Sequence, residues 1–128
     1  MNFPEDIKYT AEHLWVRCAE DGLCYAGITD YAQDLLGDIV YVETPAPESQ
    51  LEAGKPCGLV ESVKTGSDLH APLTGTVVSV NDALQQQPEQ INDDPYDAWI
   101  FSFRPEDAQA TNGLLNAEAY QKLLGEIG

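Results

Sequence analysis

Glu61, Ser62, Val63 and Lys64 place a primary amine among small or polar neighbours at the end of a short apolar run. Residues 57–60 (Cys-Gly-Leu-Val) lead in as a strand, residues 65–68 are all turn formers, and a second strand-like run spans 69–80. The spacing predicts a hairpin with Lys64 at its tip. A lysine there offers two chemistries. A Schiff-base role needs desolvation or a neighbouring cation, and the acidic Glu61 and Asp68 supply neither. A role as acceptor of an acyl group needs only access by another protein. The chain sets this amine apart, with six Lys and Arg against 22 Asp and Glu. We therefore expect presentation of the amine to a partner, not catalysis by it.

The elements that must hold this hairpin are mostly strands. Residues 14–18 and 23–27 read as a first hairpin. A two-residue turn at Asp21 and Gly22 would set Ala19 opposite Cys24 and Cys18 opposite Tyr25. Residues 38–43 are apolar on both faces, as a buried strand would be. Residues 45–50 and 85–90 read as loops, 51–55 as a connection into the strand that carries the site, and 99–103 as the strand that closes the sheet region. Many short strands with frequent turns predict an all-β sandwich or barrel. Two short helices interrupt it. Asp30 is placed to cap the first, with Gln33 as the capping-box partner and Gly37 as its end. The second opens at Asn116 and runs to about Leu124, with Gly125 as a left-handed stop; its Tyr120, Leu123 and Leu124 form one apolar stripe.

At 128 residues and 43% hydrophobic, the chain predicts one compact domain over 1–128 with room for a core. No apolar run approaches the roughly 20 residues that span a bilayer, and residues 1–6 lack the basic and apolar segments of a secretion signal, so a cytoplasmic protein is expected. A formal charge of −16 argues against nucleic acid and anionic membranes as partners. The acidity suits either a salt-adapted surface or a docking face for basic enzymes. Cys18, Cys24 and Cys57 form no Cys-x-x-Cys, and with their odd number they predict reduced thiols. Scattered cysteines and two isolated histidines give no metal-ligand set.

Glu61 stands three residues before Lys64, and Gly75 eleven after it, within residues 71–77 (Ala-Pro-Leu-Thr-Gly-Thr-Val). This resembles the lipoylation site of lipoyl carrier proteins, and in detail that of the glycine cleavage system H-protein family. Residues 9–16, 27–33, 36–43, 80–84, 91–96 and 117–120 are similar to that family's other blocks and follow in its order, so the resemblance runs from about Tyr9 to Leu124. It implies an all-β fold with two short helices, a barrel–sandwich hybrid carrying the modified lysine on an exposed hairpin turn. It also implies lipoate in amide linkage to Lys64. Glu61 and Gly75 would position the hairpin for a lipoate ligase or transferase, and Asp68 would face the arm. On this reading Gly75→Asn reduces modification and leaves the fold intact. Biotin carriers are the near rival, but they flank their lysine with methionines, where this chain has Val63 and Thr65.

The family's members are carriers, not enzymes. The resemblance implies three partners: a pyridoxal-phosphate glycine decarboxylase that loads an aminomethyl group, a tetrahydrofolate-dependent aminomethyltransferase, and a flavin dihydrolipoyl dehydrogenase. One departure bears on the cargo. The opening block of these proteins usually reads Glu-His-Glu-Trp, and its second acid belongs to the cleft that shelters the loaded group; here that position is Leu14. H-like lipoate-binding proteins of sulfur-oxidising bacteria, which serve a cytoplasmic heterodisulfide-reductase-like complex, are the alternative resemblance, and sulfur cargo would tolerate Leu14. His13 is expected to be a satisfied structural histidine and His70 an exposed strand residue.

Overall fold

The computed structural model describes residues 1–127. In chain order its strands begin with β1 (Lys8–Tyr9), β2 (Leu14–Cys18) and β3 (Cys24–Ile28), followed by helix α1 (Asp30–Leu36). Next come β4 (Ile39–Glu43), β5 (Gln50–Leu51), β6 (Pro56–Ser62), β7 (Gly66–His70) and β8 (Gly75–Val80). Single-turn helices α2 (Ala83–Gln86) and α3 (Gln90–Asp93) precede β9 (Phe101–Pro105), a 3-10 segment (Ala108–Gly113) and helix α4 (Ala117–Ile127). Six strands form one antiparallel sheet in the order β1-β2-β3-β9-β8-β5, and three form a second in the order β4-β6-β7. This is the expected barrel–sandwich hybrid.

Alternation along the strands builds two cores. Leu14 and Val16 of β2 point between the sheets, where they meet Val77, Phe101 and Phe103 of the large sheet and Val42, Val60 and Leu69 of the small one. Trp15, between them in sequence, points to the opposite face and packs with Tyr9, Tyr96 and Tyr120 under α4. Each such large apolar side chain taken out of water contributes roughly 1.5–3 kcal/mol. The predicted stripe of α4 is the one that docks, with Tyr120 fully buried and Leu123 and Leu124 packed beside it.

The first hairpin closes on Ala19 and Leu23, so three residues form the loop and Gly22 takes φ +88°. That extra loop residue shifts the register by one, sets Cys18 opposite Cys24, and a disulfide joins them instead of the expected free thiols. The cap of α1 is Thr29, whose hydroxyl accepts from the Ala32 amide; Asp30 already lies in the helix and accepts from the Gln33 side chain. Helix α4 passes through Gly125 to Ile127, because glycine adopts helical φ as readily as the left-handed one. Residues 69–80 are two strands in different sheets, parted at residues 71–74. The 85–90 loop winds into parts of α2 and α3, and the closing strand begins at Phe101. Strand β4 is an edge strand with a bulge between Ile39 and Tyr41, which leaves Val40 and Tyr41 exposed.

Candidate functional site

The β6–β7 hairpin presents Lys64. Strands β6 and β7 pair Val60 with Ser67 and Glu61 with Gly66, leaving residues 62–65 as the turn. Ser62 organises it. Its hydroxyl accepts from the amides of Lys64 and Thr65, each at 3.1 Å, and donates to the Thr65 carbonyl, while the Ser62 amide donates to that same carbonyl at 2.8 Å. The turn is also tied to its neighbour, because the Val63 amide donates to the Asp38 carbonyl at 3.0 Å. Ser62→Ala removes the hydroxyl from a partly exposed site and is expected to cost about 1 kcal/mol. Melting temperature should fall modestly, and hydrogen exchange of the Lys64 and Thr65 amides should accelerate. Unchanged exchange would mean that the hydroxyl does not hold the turn.

Asn92 braces the platform beneath. Its side-chain amide donates to the Gly37 carbonyl at 2.9 Å and to Gln33 Oε1 at 3.0 Å, and its oxygen accepts from the Ile39 amide at 2.9 Å. One side chain on α3 thereby fixes the exit of α1 and the entry of β4. Gly37 ends α1 with φ +79°, a conformation that disfavours any side chain. The lysine stem runs over it: a methyl group added at Gly37 would sit 3.3 Å from Lys64 Cε and 3.6 Å from Nζ. Lys64 is exposed, and among the described residues no carboxylate pairs with it.

Beside this platform lies a cleft of about 110 Å³. Leu14, Ile28, Ala32, Leu36, Val60 and Leu69 line it with apolar surface, and Glu12, His13, Ser67 and Asp68 add polar groups. Leu14, the residue that departs from the usual acid, is a buried member of the core between the sheets. His70 is half-buried, not exposed, and its Nδ1 lies 3.3 Å from a carboxylate oxygen of Glu12. Cys57 sits at the base of β6; burial pushes its thiol up to about 11, so it stays protonated and unreactive at neutral pH.

His13 is held as a structural residue. Its backbone takes φ +71°, and its Nδ1 lies 2.8 Å from the Tyr120 hydroxyl, which in turn lies 2.8 Å from Thr29 Oγ1. With Thr29 donating to Tyr120 and Tyr120 donating to a neutral His13, both hydroxyl protons and His13 Nδ1 are paired. The arrangement also links α4 to the cap of α1 and to the cleft wall. Burial holds the His13 imidazole below its ordinary 6.5, with Glu12 partly offsetting the effect. The unfolded chain then binds the extra proton first. Stability from this histidine is complete above about pH 6.5 and is lost as pH falls through the folded value. The gap in unfolding free energy between the wild type and His13→Asn, a residue that tolerates positive φ, is expected to narrow from about pH 7.5 to 5.5. A gap independent of pH in denaturant titrations would contradict this.

Of the predicted site residues, the structure brings Lys64, Glu61 and Asp68 onto one hairpin, with Asp68 at the cleft. Gly75 is elsewhere. It lies in the large sheet between Leu51 and Pro105, where a Cβ would meet the Arg104 carbonyl at 2.3 Å. Its glycine requirement comes from strand packing, which overturns the expectation that the fold would survive Gly75→Asn. The sequence shows Ser62 only as a small polar neighbour of Lys64 and Gly37 only as the end of the first helix, which it is, and it gives Asn92 no role of its own. The Ser-x-x-Thr spacing around Lys64 carries the only local signal, that of a hydroxyl-closed turn.

Comparison with known proteins places these features in context. The family described as "Glycine cleavage H-protein" matches residues 7–127. A glycine cleavage system H protein of Methylobacillus flagellatus is 70% identical over 125 residues, covering 98% of this chain and all of the relative. Its counterpart in Nitrosospira multiformis is 49% identical, covering 97% of this chain and 96% of the relative. The crystal structure of a glycine cleavage system H protein from Mycobacterium marinum superposes with a TM-score of 0.87 at 40% identity, covering 96% of this chain and 99% of that one.

Proposed function

The chain belongs to the glycine cleavage H-protein family, and from that membership we propose that it is a non-enzymatic lipoyl carrier whose arm is attached at Lys64. One observation carries the assignment to this residue. The hairpin carries an exposed amine that pairs with no carboxylate among the described residues, and its strand β7 lines an apolar cleft through Ser67, Asp68 and Leu69. The site fits an amide-linked acyl arm: Nζ is open to an attaching enzyme, and the cleft offers an apolar resting place to its far end. When bound, lipoate supplies a dithiolane able to accept a carbon fragment and two electrons together.

The residues of the chain present and shelter. Ser62 fixes the turn, Gly37 leaves room for the lysine stem, and Asn92 keeps the platform rigid. Glu61 marks the hairpin for a lipoate ligase or transferase, and Asp68 with Glu12 sets the polar edge of the cleft. Amide formation removes one cation and moves the formal charge from −16 one unit further negative. We read residues 1–128 as one carrier domain serving a pyridoxal-phosphate glycine decarboxylase, an aminomethyltransferase and dihydrolipoyl dehydrogenase in the cytoplasm. We prefer this cargo to sulfur because the relatives compared above carry the glycine cleavage name.

The test has two stages. The purified chain is incubated with lipoate, ATP and a lipoate ligase, and the modified peptide is located by mass spectrometry. The modified protein is then mixed with glycine decarboxylase and carbon dioxide exchange into glycine is followed. Modification at Lys64 together with exchange is the expected result. Modification without exchange, accompanied by sulfur loading of the dithiol form, would transfer the assignment to the sulfur pathway.

A further inference from the structure

The outer face of the three-stranded sheet is acidic, with Glu61 on its central strand, and exposed apolar side chains stand on either side of that carboxylate. Register places Tyr41 beside Glu61 and Glu61 beside Gly66; one row further, Glu43, Leu59 and Asp68 align. Their neighbours Val42, Val60 and Leu69 are buried, so this row points outward. Tyr41 and Val40 are 45% and 52% exposed, and Val63, next to Lys64, is 67% exposed. Gly66 adds no side chain, which leaves the platform open. Asp38, Glu43, Glu61 and Asp68 are all exposed, and Lys64 is the only lysine or arginine in residues 30–43 and 56–70. The bulge in β4 disturbs its free edge, which discourages strand addition there and leaves the face as the usable surface.

We propose that this face, around Tyr41, Glu61 and Val63, is the docking surface for the enzyme that acylates Lys64, and that the enzyme meets it with apolar surface set among lysine or arginine side chains. The proposal rests on the reading of Lys64 as the attachment site. Geometry selects the occupant. Enzymes that work on the far end of a flexible arm can stay clear of the hairpin, whereas the attaching enzyme must bring its active centre to Nζ and so must cover the residues around it. In that step one amide bond forms between Nζ and the activated acyl carbon. The bond from that carbon to its carrier breaks, the ammonium gives up two protons, one to free its electron pair and one as the amide forms, and no electrons are exchanged with any other group. The acidic surround steers a basic partner, so the rate should fall with added salt.

The experiment follows acylation of the full chain by a lipoate ligase with lipoate and ATP. For Tyr41→Ser combined with Val63→Ser, kcat/KM is expected to fall at least tenfold, mainly through KM, with an unchanged melting temperature. Val63→Arg, a change confined to the exposed turn, should be at least as severe, because it sets a cation against the enzyme's basic side chains. Val78→Ser, on the exposed side of the other sheet, should have no effect. Lys64→Arg protein, which cannot be modified, should compete with the wild type for the ligase, and adding both serines should weaken that competition at least tenfold. Normal kcat/KM or undiminished competition in the serine variants would overturn the docking surface while leaving Lys64 modified. A wild-type dimer that the serine substitutions dissociate would also overturn it, by giving the face to a second copy. Modification that persists in Lys64→Arg would instead sink the attachment site itself.

Discussion

Lys64→Arg is expected to abolish acylation completely, and with it all carbon dioxide exchange supported by the chain, at an unchanged melting temperature. The substitution keeps the charge and most of the stem of an exposed side chain, so its effect on stability should fall within about 0.5 kcal/mol. It removes the one property that matters, because a guanidinium stays protonated and offers no free electron pair to an activated acyl group. A partial loss would be informative in a different way, since it would mean that Lys8, Lys55 or Lys122 also accepts the acyl group. Full modification of the variant would remove the basis of the carrier assignment. Lys64→Ala separates a further possibility. If exchange survived it, the hairpin would be a docking element and not an attachment site.

The legibility of this lysine has a physical cause. A hairpin tip is defined by local signals, the strand formers before it and the turn formers after it, and both stand within a few residues of Lys64. Alternation within β2 likewise divides Leu14 and Val16 from Trp15, and the stripe of α4 is local to one helix. What the sequence did not disclose depends on partners far along the chain. Asn92 acts on residues more than 50 positions away, and nothing in its neighbourhood announces that. The bulge in β4 undoes the expectation of a strand buried on both faces, because one extra residue turns Val40 and Tyr41 outward together. The Cys18–Cys24 bond was missed for a related reason. A three-residue loop and a two-residue loop differ by one position in register, and that position decides which side chains face each other.

Gly75 shows how spacing can identify a position correctly and misread its physical role. The residue is wedged between β5 and β9, paired with Leu51 on one side and Pro105 on the other. A Cβ there would stand 2.3 Å from the Arg104 carbonyl oxygen and 2.9 Å from Pro105 Cα, both backbone atoms. Backbone atoms cannot rotate away as a side chain would, and any retreat of β8 from β9 pushes it against β5. Gly75→Ala is therefore expected to lower the unfolding free energy by about 3 kcal/mol, the upper end of ordinary overpacking costs, and Gly75→Asn by more. Against a typical total of roughly 5–15 kcal/mol, the asparagine variant should lose a large share of its stability and unfold at markedly lower urea. The urea midpoint is the measurement. Acylation of the asparagine variant should fall in proportion to its folded fraction, because the glycine belongs to the large sheet and the acceptor hairpin to the small one. A variant that keeps the wild-type midpoint yet resists modification would restore direct recognition of this position by the attaching enzyme.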